Sequence, residues 1–168
     1  MTFLDTCFRN LLSDSVALDD PLSRAIAIAT VGHLGQRDKG GIEPYILHPL
    51  RVMAACPHNV DLRCVAVMHD VLEDTRITLV DLAPYFNHWV LNALEAITRR
   101  NGPGGKEVYR SYIERVAGNR HAKYVKRADI ADNLDPIRMA GAFGEVEMVA
   151  LKKRYGEALK VLSGDASI

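Results

Sequence analysis

The segment 67–75 carries two pairs of ionisable side chains spaced four residues apart, His69 with Glu73 and Asp70 with Asp74. If the segment is helical, these four side chains share one stripe at the end of a helix. The turns before it are strongly apolar and predict a buried helix, where charges require a cation or a salt-bridge network. An imidazole beside a carboxylate is a ligand set suited to Mn²⁺, Fe²⁺ or Zn²⁺. The alternative is that His69 and Asp70 are only the solvated C-terminus of a core helix.

Two more side chains are candidates for the same chemistry. His48 follows an apolar tripeptide and precedes Pro49 at a predicted helix start, where on its own it would be a helix cap. Asp129 continues a stripe with Ala122 and Val125, so a carboxylate stands where the helical pattern calls for an apolar residue. The alternative for Asp129 is an exposed helix face. Together, the three signals favour a metal site more strongly than any one of them.

Helical periodicity covers most of the chain, and no run of strict alternation is long enough to predict a sheet. Because a residue before proline avoids the helical region, His48 is expected to be extended, at an N-cap position. Loops are predicted at 40–41 and 102–105, where glycines cluster. The sequence therefore predicts an all-α helical bundle, with 1–168 forming a single domain. The predicted helices run from about Leu22 to Leu34 and begin near Pro49, Val60, His88, Lys106, Asn119 and Glu145.

Length and composition exclude several classes of protein. The chain of 168 residues is too short for two ordinary domains, yet long enough to bury a core without disulfides or a structural metal. Its 21 basic and 21 acidic residues balance, which argues against a strongly cationic nucleic-acid binder. No apolar run approaches the ~18 residues that indicate a membrane span.

Cysteine usage and the N-terminus indicate the compartment. The three cysteines, Cys7, Cys56 and Cys64, form no C-x-x-C pair and predict neither a disulfide framework nor a cysteine zinc site. Residues Met1–Asp5 lack the basic start and apolar stretch of a signal peptide. We therefore expect a soluble, cytoplasmic protein with no nucleic-acid or membrane partner. The sequence does not determine an oligomeric state.

The order of the candidate residues, a histidine, then His-Asp, then a distant aspartate, resembles the HD-domain phosphohydrolase superfamily. Four sequence blocks extend the match and are similar to the hydrolase domain of the RelA/SpoT family. The resemblance runs from about Ser23 to Leu162 and implies an HD-domain helical bundle. The length leaves no room for the synthetase and regulatory domains of long members, so we expect a stand-alone hydrolase. The four blocks are His33–Gln36, Pro44–Leu50, His69–Thr75 and Lys126–Asp129.

The resemblance implies a chemistry for the residues singled out above. It implies one Mn²⁺ ion held by His48, His69, Asp70 and Asp129. Glu73 and Asp74 match the pair that family members use to activate and position the attacking water. The implied reaction is hydrolysis of the 3′-pyrophosphate of ppGpp or pppGpp, which gives GDP or GTP and pyrophosphate.

Substrate contacts are implied for four residues, Arg37, Lys39, Tyr45 and Asn133. The alternative for Asn133 is a helix C-cap, and the alternative for the loop that holds Arg37 and Lys39 is a solvated turn. Basic clusters at 99–100 and 152–154 are expected to be solvated helix faces, and the alternative for both is contact with phosphates.

Three positions depart from the family pattern. Asp38 stands where an arginine is usual, which leaves (p)ppApp, a nucleoside monophosphate or the 2′-phosphate of NADPH as alternative substrates. Asp132 replaces a histidine common in long members, and Arg127 replaces a leucine. Neither is expected to touch a proposed metal ligand. A third hypothesis is a non-catalytic module that senses an alarmone, against which the intact pair of Glu73 and Asp74 argues.

Overall fold

The structure is a computed structural model that describes residues 20–164, so the predictions for Met1–Asp5 and Cys7 fall outside it. Residues 20–164 form ten helices and one short antiparallel hairpin, which confirms the all-α prediction. None of these helices is long and apolar enough to cross a membrane. The helices are α1 (Pro21–Gly32), α2 (Leu47–Ala55), α3 (Val60–Met68), α4 (Val71–Asp74), α5 (Leu79–Leu82), α6 (His88–Ile97), α7 (Tyr109–Ala117), α8 (Arg120–Asn133), α9 (Pro136–Ala142) and α10 (Glu145–Ser163). The hairpin pairs β1 (Asn101–Gly102) with β2 (Gly105–Lys106) and lies between α6 and α7.

Side-chain caps start several helices where the sequence predicts them. Asp20 accepts a hydrogen bond from the amide of Ser23 at the start of α1. Asn59 accepts one from the amide of Leu62 in α3, and Asn119 caps α8 in the same way. Each cap satisfies an amide that has no partner in the first helical turn. The predicted starts of α3, α6, α8 and α10 are therefore confirmed.

Helix α2 begins earlier than predicted, which changes the place of His48. Its N-cap is Ile46, whose φ of −55° and ψ of −23° are already helical, so His48 lies inside the helix. Backbone hydrogen bonds form the turn before it, from the amide of Leu47 to the carbonyl of Pro44 and from His48 to Tyr45. These bonds outweigh the extended preference of a residue that precedes proline. The prediction of an extended His48 is therefore wrong.

The helix predicted near Lys106 begins instead at Tyr109. Lys106 belongs to β2, because the chain reverses at 102–105 and Gly105 adopts a φ of +95° that a side chain would disfavour. The hairpin has a function in the fold, since it carries the Lys106 ammonium to the carboxylate of Glu73, 2.9 Å away.

The helix predicted through 67–75 is interrupted. Helix α3 ends one residue before His69, and Asp70 is the N-cap of the short helix α4. The carbonyl of Asp70 accepts hydrogen bonds from the amides of Glu73 (3.2 Å) and Asp74 (2.9 Å). The prediction of four side chains on one continuous helical stripe is therefore wrong, because the two halves of the segment belong to two helices.

Helix α3 is the centre of the core. It packs against α1, α2, α6 and α8, and its burial fixes the position of the residues that follow its C-terminal end. Cys64 lies in this helix as a free thiol, and burial raises the pKa of that thiol to about 12. The buried residues of α3 are Leu62, Cys64, Val65, Ala66, Val67 and Met68.

Arg115 of α7 ties the end of α6 to the segment after the hairpin. Its guanidinium donates hydrogen bonds to the carbonyls of Ala96 (2.7 Å) and Thr98 (3.0 Å) and to the carboxylate of Glu107 (2.6 Å). Carbonyls in the last turn of a helix have no partner within the helix, so the guanidinium satisfies them. The hydrogen bond from Arg115 also holds the pKa of Glu107 below its usual range.

Replacing Arg115 by lysine removes most of these hydrogen bonds and keeps the charge, because an ammonium does not reproduce the planar fork of a guanidinium. We expect Arg115→Lys to lower the free energy of unfolding by about 1–3 kcal/mol. Urea denaturation followed by circular dichroism measures this change. The matched control is Arg110→Lys, which alters an exposed ion pair with Glu114 and is expected to change stability by less than about 0.5 kcal/mol. Equal stability of the two variants would contradict the assignment.

Candidate metal centre and active site

Four side chains from separate parts of the sequence converge on one point. Nε2 of His48 in α2 lies 3.2 Å from Oδ1 of Asp129 in α8 and 3.8 Å from Oδ2 of Asp70. Nε2 of His69 lies 3.1 Å from the same oxygen of Asp70 and 3.7 Å from the same oxygen of Asp129. The side chains of His69 and Asp129 are only 1% and 6% exposed. The structure thus brings together all four predicted metal ligands, of which the Asp70 side chain is the most exposed, at 21%.

The second nitrogen of each imidazole is already engaged. Nδ1 of His69 lies 2.8 Å from the carbonyl oxygen of Ala66, and Nδ1 of His48 lies 2.8 Å from Oδ2 of Asp132. A proton on Nδ1 leaves the lone pair of Nε2 facing the carboxylates, as in histidines that bind metals. Nε2 of His69 is buried without a hydrogen-bond partner, which is costly unless a ligand satisfies it. The four side chains therefore fit a divalent cation.

The charges around the site favour a cation. Burial opposes the charged form of His69, but the negative charges of Asp70 and Asp129 outweigh burial and raise the pKa of this imidazole to about 10. Burial also opposes the charged form of both carboxyls, but the neighbouring cations outweigh it and hold their pKa values below the usual range. A mixed set of imidazoles and carboxylates suits Mn²⁺, Fe²⁺ or Zn²⁺.

Neighbouring side chains hold the two carboxylates in place. The hydroxyl of Tyr45 donates a hydrogen bond of 2.5 Å to Oδ2 of Asp70. Nζ of Lys126 donates to Oδ2 of Asp129 (2.7 Å), and Nδ2 of Asn133 donates to Oδ1 of Asp129 (2.5 Å). Tyr45 and Asn133, both predicted as substrate contacts, therefore also support candidate metal ligands. Asn133 is the last residue of α8 rather than its C-cap.

Glu73 and Asp74 both line the cavity next to the candidate ligands, but their partners differ. Glu73 accepts hydrogen bonds from Nζ of Lys106 (2.9 Å) and from the backbone amide of Arg99 (3.2 Å). Among the ion pairs of residues 20–164, none includes Asp74. Burial, together with the charges of Asp70 and Glu73, raises the pKa of Asp74. Of the two carboxylates, Asp74 is therefore the better proton acceptor.

The four candidate ligands lie at the wall of a cavity of about 380 Å³, a size typical of small-molecule sites. Within residues 20–164, Lys39 and Arg154 line this cavity without an ion pair to a carboxylate. Instead, the Lys39 ammonium lies 5.2 Å from the ring centre of Phe143, and the Arg154 guanidinium lies 5.0 Å from that of Tyr109. The cations that line the cavity are Lys39, Arg51, Arg99, Lys106, Lys126, Arg138 and Arg154.

The predicted substrate contacts divide into two groups. Lys39, Tyr45 and Asn133 line the cavity, and Arg37 does not. The guanidinium of Arg37 donates a hydrogen bond of 2.8 Å to the carbonyl of Ile42 within its own loop. The carboxylate of Asp38 likewise caps this loop, since it accepts a hydrogen bond from the amide of Ile42 at 3.0 Å.

The expectation that Asp132 leaves the metal ligands untouched is wrong, because its Oδ2 lies 2.8 Å from Nδ1 of His48. Asp132 follows Asp129 by three residues, so both side chains lie on the face of α8 that packs against α2. The three-residue spacing between Asp129 and Asp132 was the sequence signal that could have identified Asp132 as part of the site. The partner of Asp132, however, is 84 residues away in the sequence.

The expectation for the two basic clusters fails at Arg99, which lies after the end of α6 rather than on a helix face and lines the cavity. Arg154 is an exposed residue of α10, as predicted. Its guanidinium also lines the cavity, beside Tyr109 and Tyr155. The sequence shows a run of basic residues at 152–154, and only the packing of α10 determines which of them lines the cavity.

Comparisons with known proteins agree with this geometry, although no family model matches the chain. A guanosine-3′,5′-bis(diphosphate) 3′-pyrophosphohydrolase of Aquifex aeolicus is 28% identical over 162 residues, which are 92% of this chain and 23% of the relative. The bifunctional (p)ppGpp synthase/hydrolase SpoT of Escherichia coli K12 is 33% identical over 81 residues, 46% of this chain and 11% of the relative. The chain thus spans less than a quarter of the length of these curated relatives.

A solved structure has the same fold. A metazoan ortholog of SpoT, described as hydrolysing ppGpp, matches with a TM-score of 0.75 and 25% sequence identity, and the match covers 86% of each chain. The similarity therefore extends over most of the helical bundle. In its sequence and in its fold, the chain is therefore similar to the hydrolases of the RelA/SpoT type.

Proposed function

We propose that this chain is a metal-dependent hydrolase that removes the 3′-pyrophosphate of ppGpp or pppGpp and releases GDP or GTP and pyrophosphate. The observation that carries the proposal is the convergence of two imidazoles and two carboxylates, whose Nε2 atoms and carboxylate oxygens lie 3.1 to 3.8 Å from one another. We propose this substrate because the names of the curated relatives, and the description of the solved metazoan ortholog, state that those proteins hydrolyse ppGpp.

His48, His69, Asp70 and Asp129 would hold the metal, for which we propose Mn²⁺. A divalent cation at this place promotes the ionisation of a water and offsets negative charge on the attacked phosphate. The protein would fix the ligands in advance, since both imidazoles already present Nε2 to the carboxylates. Such advance positioning avoids reorganisation during the reaction.

In the proposed reaction, water attacks the phosphorus attached to the ribose 3′ oxygen. The bond between that phosphorus and the 3′ oxygen breaks, the 3′ oxygen takes up a proton from solvent to become a hydroxyl, and the attacked phosphorus departs in pyrophosphate that contains the oxygen of the water. We assign Asp74 to accept the proton of the attacking water, because its pKa is raised and it makes no ion pair within residues 20–164. Glu73, which is paired with Lys106, would position that ammonium near the phosphates.

The phosphates of the substrate would be bound by the cations of the cavity. Lys39 and Arg154 are the best placed, since neither is neutralised by a carboxylate in the described part of the chain. Positioning and electrostatic stabilisation dominate the catalysis of phosphoryl transfer. The balance of 21 basic and 21 acidic residues accords with a small nucleotide substrate rather than a nucleic acid. A cytoplasmic location is proposed from the sequence alone.

A second candidate function keeps the metal and changes the nucleotide. It is favoured by the loop around Asp38, because the side chains of Arg37 and Asp38 form hydrogen bonds within this loop. Of the two basic side chains of the loop, only that of Lys39 lines the cavity. Fewer fixed contacts to the base would relax the choice between guanine and adenine. Candidate substrates are then (p)ppApp, a nucleoside monophosphate or NADPH.

The identity of the products tests the proposed function. We expect the protein with Mn²⁺ to convert ppGpp into GDP and pyrophosphate, as resolved by anion-exchange chromatography, with ppApp and NADPH assayed in parallel. Removal of the metal with a chelator should stop turnover, and adding Mn²⁺ should restore it. Release of orthophosphate from NADPH, or faster turnover of ppApp than of ppGpp, would support the second candidate. Tight binding of ppGpp without turnover would instead indicate a sensing module.

Loss of one carboxylate ligand should abolish the activity. We expect Asp70→Asn to reduce turnover at least about a hundredfold, because the remaining ligands hold the cation less tightly. Circular dichroism should show a folded protein. The control is Glu114→Gln, an exposed carboxylate outside the cavity, which should retain full activity. Full activity of Asp70→Asn would contradict the assignment of Asp70 as a ligand.

Asp74, unlike the candidate metal ligands, should contribute to turnover without contributing to metal affinity. We expect Asp74→Asn to lower kcat by about 10²–10⁴-fold, the usual contribution of a general base, and to leave the Mn²⁺ affinity within about threefold of the parent. Steady-state kinetics and isothermal titration calorimetry measure the two quantities. A parallel loss of metal affinity and turnover would show that Asp74 acts as a ligand instead.

A further inference from the structure

We infer that Asp132 is a positioning residue that determines which nitrogen of His48 faces the metal centre. The inference concerns how this chain holds the metal, and it rests on the proposed function in requiring that a metal be bound. Oδ2 of Asp132 lies 2.8 Å from Nδ1 of His48, and Nε2 of the same ring lies 3.2 Å from Oδ1 of Asp129. A proton held on Nδ1 by a carboxylate leaves Nε2 free to bind a metal.

The two imidazoles are oriented by different means. Nδ1 of His69 donates to the backbone carbonyl of Ala66, one turn back along α3, so the helix itself sets the orientation of that ring. The partner of His48 in its hydrogen bond is a side chain from another helix, α8. The orientation of His48 therefore depends on a single replaceable residue.

Asp132 is itself fixed by two arginines. Its Oδ1 accepts hydrogen bonds from Nε of Arg51 (2.9 Å) and from Arg138 (2.7 Å), and its side chain is only 10% exposed. The guanidinium of Arg138 also donates to the backbone carbonyl of Asp132 at 2.8 Å. Oδ1 thus faces both arginines, while Oδ2 faces Nδ1 of His48 at 2.8 Å and accepts only a longer second bond, of 3.3 Å, from Nε of Arg51.

Because of this arrangement, replacing Asp132 by asparagine tests whether the carboxylate orients the His48 ring. Both arginines are obligatory donors, and the His48 ring is a donor when Nδ1 carries the proton, so only a carboxylate accepts from all three. An asparagine must turn its amide group toward one side. Two guanidiniums attract its oxygen, so the amide donates to Nδ1 of His48 and moves the ring proton to Nε2. An imidazole protonated at Nε2 offers the metal no lone pair there.

The alternative is that Asp132 only ties α8 to α9 through Arg138. Asp135 provides the matched control, because its carboxylate lies 3.6 Å from the same guanidinium and does not touch His48. Asp135 also caps α9 through the amide of Ile137, and asparagine serves equally well as an N-cap. The two aspartate-to-asparagine changes thus share the same arginine and differ in their effect on His48.

The test is the Mn²⁺ affinity of the whole chain, measured by isothermal titration calorimetry. We expect Asp132→Asn to weaken Mn²⁺ binding about 10–100-fold, the usual effect of removing such a supporting carboxylate, while Asp135→Asn stays within about twofold of the parent. Turnover of Asp132→Asn should recover as the Mn²⁺ concentration rises, which a purely structural defect would not allow. Equal affinity of Asp132→Asn and the parent would overturn the inference, and so would equal losses in both variants.

A measurement on the parent protein decides the matter if Asp132→Asn does not fold. In the Zn²⁺-loaded protein, ¹⁵N NMR of the histidine rings should show His48 with its proton on Nδ1 and the metal on Nε2. Metal on Nδ1 would overturn the inference. The proposed function has a separate point of failure, because a parent protein that binds neither Mn²⁺ nor Zn²⁺ would contradict the metal centre itself.

Discussion

Two carboxylates that share one small volume with two imidazoles impose the constraint on which the rest of this structure depends. Asp70 and Asp129 each lie 3.8 Å or less from both Nε2 atoms, and with Asp129 buried and Asp70 largely covered, few waters solvate their charges. Such a group is stable only when its remaining lone pairs have donors and when a cation balances its charge. Tyr45, Lys126 and Asn133 supply the donors. The imidazoles and the charge of the site select the cation.

His69 and Asp70 lie at the junction of α3 and α4, where Nε2 of His69 is 3.1 Å from Oδ2 of Asp70. Six of the nine residues of α3 are buried, and α3 packs against α2 and α8, which carry the other two candidate ligands. The packing of this buried helix thus positions the candidate metal centre.

The basic side chains that line the cavity fall into two groups: some pair with carboxylates of the site, and others remain available to an anion. Arg51 and Arg138 pair with Asp132, which contacts the candidate ligand His48, and Lys126 pairs with the candidate ligand Asp129, so these three charges maintain the site. Lys39 and Arg154 have no such partner within residues 20–164 and rest on aromatic rings instead. A cation on an aromatic face keeps its charge available to an incoming anion. This division explains how a chain with no net charge presents a cavity suited to a phosphorylated substrate.

The sequence by itself determined the helical class and the identity of the metal-ligand candidates, because periodicity and residue type are local properties. Local patterns also placed Glu73 and Asp74 beside those ligands. Only the tertiary structure decided that His48 is helical and that its ring is held by Asp132. It also decided that Arg154 lines the cavity, while Arg37 bonds to the carbonyl of Ile42 in its own loop. These features depend on which faces of distant helices pack together, as between α2 and α8, and no single segment encodes that choice.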